Sequence, residues 1–517
     1  MAGLTAAAYL ARENVTVTVL EKNNRIGGLL SSFEQDGFLF DSGPRALVNS
    51  GMVTPMFKDL GIEYEFLDNT ISIGIEDEMI RVESMDSLKE YEAALCRLYP
   101  ESVDDIHKII PVMRKLSKYT EILYEFDNPN FIDFSNNTAA ILSKMTPWFF
   151  KFLWSLYKMR QFNFPMEEHM ARLTDNQSLH DIILQSFFRK MPSYFALGYF
   201  YVYLDYFYPK GGTGALAHLM EQKALEGDVK IQLNTKIVEV RPGAKEVIDS
   251  EGNAYKYDEM IWAADLKTLY QQLDTANLDS AVRAEIEAKQ KKMVLAKGAE
   301  SVFMLFAGIN RPPSYFREHG GEHLFYTHSR QGLGETLTTE REDILANFEN
   351  KSKEEILAWL DRFLSRNTFE VSVPALRDPS LAPEGKSGLM ISCLFDYDIV
   401  KKVQEAGWYD EFKQNLEDKV FSLFSQTLYK GIDQDILFKY SSSPLTVNKI
   451  SGSTGGAITG WSFETPIPVV YTLKDINQSA LTPIPNVYKA GQFAYCPAGV
   501  PIAMLTGWYA TQEIVKE

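Results

Sequence analysis

A run of small residues leading into a β-branched strand that ends on an acid constrains this chain more than any other feature. Ala2-Gly3-Leu4-Thr5-Ala6-Ala7-Ala8-Tyr9-Leu10-Ala11-Arg12 reads as a helix able to pack closely on a sheet. After a short turn, Val15-Thr16-Val17-Thr18-Val19-Leu20 alternates as a strand and ends on Glu21. This is the second half of a dinucleotide-binding βαβ unit. In such a unit the pyrophosphate sits at the positive helix N-terminus and the acid accepts hydrogen bonds from a ribose. Gly3 fits the third glycine of G-x-G-x-x-G, and Glu21 then falls near the expected interval. The strand and the two glycines that precede such a helix are missing from the sequence. The expectation is therefore that Met1 is an internal methionine of the glycine loop, and that the native protein starts roughly ten or more residues earlier.

The blocks that follow extend the pattern. Arg25-Ile26-Gly27-Gly28-Leu29-Leu30 and Gly37-Phe38-Leu39-Phe40-Asp41-Ser42-Gly43-Pro44 come next, and paired glycines let backbone approach a flat cofactor. Tyr208-Pro209-Lys210-Gly211-Gly212-Thr213-Gly214-Ala215-Leu216 follows, with strands predicted within residues 229–240 and up to Ala263-Ala264-Asp265. Ala490-Gly491-Gln492 closes a last strand, and Pro497-Ala498-Gly499-Val500-Pro501 opens a predicted helix over residues 502–515.

Together these blocks resemble the FAD-dependent phytoene desaturase, carotenoid isomerase and retinol saturase family, within the wider amine-oxidase-like flavoproteins. The family pattern is an acid, then G-G, then G-F-x-F-D-x-G-P, and later Y-P-x-G-G-x-G-A-L. Leu29 replaces the arginine usual in phytoene desaturases, which leans toward the isomerase and saturase branches. Ile502 replaces a glycine the desaturases often carry. The resemblance implies an α/β, Rossmann-like FAD-binding domain, its first strand missing, with an inserted α+β substrate domain. It implies FAD contacts at Gly3, Leu4, Glu21, Lys22, Gly27, Gly28, Leu29, Gly43, Pro44, Gly211, Gly212, Val238, Ala264, Gly491, Gln492, Gly499 and Val500. The FAD-binding domain is expected over residues 1–75, 208–270 and 441–517. A helical, aromatic-rich insertion is expected over 76–207 and an α+β substrate domain over 271–440.

Family members act on C–C bonds of long apolar polyisoprenoids, carotenoid-like or retinoid-like, by desaturation, saturation or isomerisation. The aromatics between Phe187 and Tyr208 are candidates to line a channel for such a molecule. Tyr203, Asp205, His218 and Tyr495 lie near the cofactor blocks, but no catalytic acid or base is assigned among them. Two alternatives stand beside this reading: an amine oxidase-like enzyme working on a C–N bond, and a non-catalytic remnant that binds no FAD.

Composition narrows the partners. A net charge of −17 argues against general nucleic-acid binding, which needs a basic face. Three scattered cysteines build neither a disulfide framework nor a metal site and point to a reducing, cytoplasmic setting. His319, His323 and His328 surround Gly320-Gly321 and do not read as a zinc helix, so no metal is expected. Residues 146–164, opening on Thr146-Pro147 and closing on Phe164, differ from the rest. They combine Lys151, Lys158 and Arg160 with Trp148, Phe149, Phe152, Trp154 and Tyr157, and contain no acid. Thr146 reads as an N-cap with Pro147 at the first helical position, and Lys151, Ser155 and Lys158 as the polar stripe. The two readings are a core helix with snorkelling lysines and a peripheral contact with the inner face of a membrane.

Overall fold

The computed structural model describes residues 1–132 and 138–516. Its organising element is the helix Ala2–Arg12, whose buried residues include Ala2, Leu4, Ala6, Ala7, Ala8, Tyr9 and Leu10. A helix that is apolar on most sides needs cover on most sides. Helices Ala215–Glu226 and Val500–Val515 supply it, together with the strand Thr18–Leu20. The fit against the last helix is backbone to backbone: a Cβ on Gly507 would lie 2.6 Å from the Ala2 carbonyl oxygen.

The cofactor-type domain carries two parallel strand pairs. Thr18–Leu20 runs beside Lys230–Gln232, with Val19 opposite Ile231. Met260–Trp262 runs beside Val487–Lys489, with Ile261 opposite Tyr488. The two pairs do not hydrogen-bond to one another. Beside them lies a three-stranded antiparallel sheet of Ile237–Arg241, Glu246–Asp249 and Ala254–Lys256.

The second domain is built on a seven-stranded sheet. Its order is Ile436–Ser442, Ser301–Ile309, Ser387–Phe395, Thr368–Ser372, His323–Thr327, Ile71–Ile75 and Glu78–Val82. Alternation divides its two faces. Phe303, Leu305, Phe369, Val371 and Ile391 pack with Trp359, Phe363, Phe412 and Val420 of the helices on one side. Met304, Phe306 and Met390 meet Phe38 and Phe40 of the hairpin Ser32–Gln35/Phe38–Asp41 on the other. The strands Ile71–Ile75 and Glu78–Val82 belong to this sheet, whereas the sequence places the whole of the first in the cofactor domain. Ile71–Ile75 pairs in parallel with His323–Thr327, and Ile71, Ile75, Ile80 and Val82 join the core of the neighbouring helical layer.

That layer contains Ser87–Leu98, Val103–Tyr124, Thr138–Met159 and Ser193–Val202. Thr138–Met159 runs through Pro147 rather than starting there. Thr146 is accordingly not a cap; its Oγ1 donates to the Leu142 carbonyl at 2.8 Å. The stripe that faces inward is Trp148, Phe152, Ser155 and Met159, with Trp148 Nε1 donating to the Ile122 carbonyl at 2.8 Å. Ser155, expected on a polar outer stripe, is fully buried, and Phe149, Phe150, Leu153, Trp154 and Tyr157 are exposed. Among the described residues no helix is long and apolar enough to cross a membrane.

The Gly507 contact yields a direct test. Gly507→Ala forces the two helices apart and is expected to destabilise the fold by about 1–3 kcal/mol, the usual scale of overpacking. A denaturation midpoint equal to that of the unchanged protein would show that the helices have slack.

Candidate functional site

One cavity of about 1700 Å³ runs through the cofactor-type domain and on beneath the helical layer. Gly3, Leu4, Glu21, Lys22, Gly27, Gly28, Leu29, Gly43, Pro44, Ala264, Gly491, Gln492, Gly499 and Val500 all line it. Sequence blocks from opposite halves of the chain therefore meet at one wall. Thr18–Leu20 and Met260–Trp262 also line the cavity, so part of its volume lies between the two strand pairs. Ligand pockets ordinarily occupy about 300–1,000 Å³, so there is room for more than one small molecule.

Local contacts hold this wall. A Cβ on Gly43 would lie 1.9 Å from the Leu29 carbonyl oxygen, so the loop after Gly27-Gly28 and the loop at Gly43 touch through bare backbone. Ser42 N donates to the Ser31 carbonyl at 2.8 Å, which locks the same pair. Glu21 N donates to the Gln232 carbonyl at 2.9 Å, and its Oε1 accepts from Asn23 N at 2.8 Å. That leaves Oε2 for a ribose hydroxyl. Burial lowers the Lys22 ammonium pKa, partly offset by the Glu21 charge beside it. Gly491 N donates to Thr506 Oγ1 at 2.9 Å, and Thr506 in turn donates to the Ile502 carbonyl, tying the turn to the first part of the last helix. The N-termini of Ala2–Arg12 and Val500–Val515 both reach the cavity, where their unpaired N–H groups favour anionic oxygens.

Three expected contacts lie elsewhere. Gly211 and Gly212 do not line the cavity. Gly211 N donates to Asp378 Oδ2 at 2.9 Å, and a Cβ on Gly212 would meet Leu39, Asp41 and Ser32. This turn clamps the hairpin and the sheet domain together. Val238 is 39% exposed on the small antiparallel sheet, and its neighbour Ile237 is the residue at the cavity wall.

The far part of the cavity is aromatic. Phe187, Phe188, Tyr194, Phe195, Tyr199, Tyr203 and Tyr206 line it, whereas Phe200, Tyr201, Phe207 and Tyr208 do not. Tyr495 reaches the cavity too. Asp205 accepts from Ser50 N at 2.7 Å, and its carboxyl is pushed up to about 6 by burial. The His218 side chain stands 70% exposed.

Opposite the tyrosines, the seven-stranded sheet contributes Phe325, Thr368, Ser392 and a carboxylate the sequence reading passed over, Glu370. Glu370 Oε1 lies 2.9 Å from Nε2 of the fully buried His323. Asn69 Nδ2 is 3.2 Å from His323 Nδ1, which sets Nδ1 as acceptor and Nε2–H as donor to Glu370. Burial lowers the imidazole pKa and keeps this histidine neutral. Burial alone would raise the Glu370 carboxyl, yet the His323 hydrogen bond and the nearby Arg45 charge bring it below its ordinary value. An ionised carboxylate thus faces the aromatic end of the cavity. The signal for it in sequence was one acid alternating with apolar residues in Thr368-Phe369-Glu370-Val371-Ser372.

The model of the flavin containing amine oxidoreductases matches residues 1–391. The chain belongs to that family. It is an FAD-dependent oxidoreductase. Among curated relatives, a 4,4'-diapophytoene desaturase (4,4'-diaponeurosporene-forming) of Staphylococcus aureus is 22% identical over 549 residues, covering 100% of this chain and 97% of that protein. In fold, the chain is similar to an oxidoreductase from Methanosarcina mazei, with TM-score 0.56, 13% identity and coverage of 100% and 98%. It is also similar to putrescine oxidase bound to putrescine, with TM-score 0.55, 12% identity and coverage of 100% and 98%.

The cavity wall fits FAD. Gly27, Gly28, Gly43 and Gly491 bring backbone to the cavity wall, two helix N-termini suited to phosphate oxygens reach it, and Glu21 presents a carboxylate oxygen with no protein donor. When bound, the flavin accepts or donates the electrons of the reaction, and the protein supplies orientation and electrostatics. Glu21→Ala removes a charge-assisted hydrogen bond and should weaken FAD binding by about 1.5–3 kcal/mol. Flavin occupancy along a dilution series measures this, and an unchanged dissociation curve would remove Glu21 from the site.

Proposed function

We propose that this flavoenzyme acts on C–C bonds of a long apolar polyisoprenoid, carotenoid-like or retinoid-like, by desaturation, saturation or isomerisation. The observation that carries the reading is the continuity of the cavity. One end is walled by the FAD-type glycine blocks and the other by Phe187, Phe188, Tyr194, Phe195, Tyr199 and Tyr203. An aromatic wall of that kind suits an extended conjugated chain. The full-length similarity to a diapophytoene desaturase supports it. Incubating the FAD-loaded protein with a polyene hydrocarbon and with putrescine separates C–C from C–N chemistry. A shift in the polyene absorption bands is expected; amine-dependent flavin reduction without such a shift would overturn the reading.

The same reading includes a peripheral membrane contact on the inner face of a membrane. Such substrates partition into lipid, and the helix Thr138–Met159 carries Phe149, Phe150, Leu153, Trp154 and Tyr157 outward, with Phe150 67% exposed. Clustered exposed aromatics of this size mark an interaction face. Lys144 and Lys151 are exposed on the same helix, and Lys158 Nζ lies 5.6 Å from the Trp154 ring centroid, a basic and aromatic pairing suited to anionic headgroups. Met159, on the inward stripe of the helix, lines the cavity, which gives a lipid-borne chain a short route in. The double variant Phe150→Glu, Trp154→Glu should lose most co-sedimentation with phosphatidylserine vesicles. The remaining Lys151 and Lys158 contribution should fall further as salt rises. Equal pelleting of both proteins would assign the helix to another role.

A further inference from the structure

The polar group at the aromatic end of the cavity has more hydrogen-bonding capacity than the protein uses. Glu370 sits on Thr368–Ser372, the middle strand of the seven-stranded sheet. Its neighbours Phe369 and Val371 point to the helical core, so Thr368 and Glu370 point to the cavity. The Glu370 side chain is 32% open there, although its partner His323 is fully buried. Oε1 is taken by His323 at 2.9 Å. Oε2 has only a 3.4 Å contact with Ser392 Oγ, which is shared with the Glu370 main-chain carbonyl at the same distance.

Several other polar groups near Glu370 are already paired. Thr368 Oγ1 pairs with Thr327 Oγ1 at 2.7 Å and accepts from Gln185 Nε2 at 2.8 Å. Tyr199 and Tyr206 share a hydrogen bond at 2.8 Å. Arg45, whose charge is felt at Glu370, directs Nη1 to the main-chain carbonyls of Asp41 and Gly43. A carboxylate oxygen with open lone pairs is therefore presented to a chamber walled largely by aromatic rings. A pure hydrocarbon filling that chamber would strip water from the carboxylate and return nothing. A donor on the ligand would replace that water.

We propose that Glu370 Oε2 accepts a hydrogen bond from a hydroxyl of the substrate, so that the cavity selects hydroxylated polyisoprenoids over hydrocarbons of the same length. This rests on the polyisoprenoid reading above and narrows it. Sites built to bond a substrate hydroxyl discriminate far more strongly against its absence than apolar pockets discriminate by size. The open side-chain surface argues against a purely structural carboxylate, because holding His323 uses one oxygen only.

The test measures binding, not turnover. FAD-loaded protein is titrated with all-trans-retinol and with the matching deoxy hydrocarbon, following quenching of tryptophan fluorescence, to which Trp461 at the cavity wall contributes. The unchanged protein is expected to prefer the alcohol by ~10-fold or more, the scale of one hydrogen bond to a charged group. Glu370→Leu should abolish the preference by weakening alcohol binding and strengthening hydrocarbon binding. Glu370→Gln, isosteric, accepts from His323 Nε2–H through its amide oxygen and turns its NH2 to the ligand, where it can only donate to a hydroxyl oxygen, and should leave a reduced preference. Retained flavin absorbance shows that each variant is folded, and Glu370→Gln carries the test if Glu370→Leu loses flavin. Equal affinity of the unchanged protein for both ligands, or an undiminished preference in the variants, would overturn this proposal alone. Binding of neither ligand would overturn the polyisoprenoid reading, and this proposal with it.

Discussion

The architecture turns on a fully buried carboxylate. Asp41 is 0% exposed, and a charge in that position survives only if hydrogen bonds replace its water. It accepts from Ser32 Oγ, Thr213 N, Thr213 Oγ1 and Tyr208 Oη at 2.6–2.9 Å. These donors come from the hairpin, from the strand Tyr206–Pro209 and from the glycine turn after it. The Arg377 guanidinium lies 3.9 Å from the Tyr208 ring centroid, and its Nη1 donates to the Arg45 carbonyl at 3.0 Å. One charge thereby draws the sheet domain, the hairpin and the loop at Gly43 into a fixed arrangement. The cavity wall at Gly43 and Arg45 inherits that rigidity.

The parts of the site legible in sequence were those set by local backbone chemistry. Gly27-Gly28, Gly43 and Gly491 announce themselves because only glycine allows their torsions or contacts, and such constraints sit within a few residues. Gly211 and Gly212 carry the same signature but serve the Asp41 clamp. A glycine-rich turn reports a close approach without saying to what. Glu370 was not legible, since its meaning depends on His323, 47 residues away, and on Asn69, which reaches His323 across 254 residues.

Sheet membership failed for the same physical reason. Ile71–Ile75 has the composition of a buried strand in either domain, and only its parallel pairing with His323–Thr327 decides. The helix Thr138–Met159 shows a related limit. Sequence identified an amphipathic, basic and aromatic segment, but an aromatic-rich helix has more than one stripe able to face a core. Trp148 settles the choice by donating to the Ile122 carbonyl, which turns Ser155 inward and Phe150 outward.

The mutual covering of Ala2–Arg12 and Val500–Val515 also bears on how the fold is reached. These helices lie nearly the whole sequence apart, yet Ala2 and Gly507 meet through bare backbone. Contacts of such long range form slowly, because loop-closure entropy is lost before any burial compensates it. During synthesis, the helix Ala2–Arg12 emerges with an apolar surface long before its partner Val500–Val515 leaves the ribosome. The cavity wall that both helix N-termini reach is complete only after that meeting. A chain made only as far as the sheet domain thus presents an uncovered apolar helix rather than a finished cavity wall.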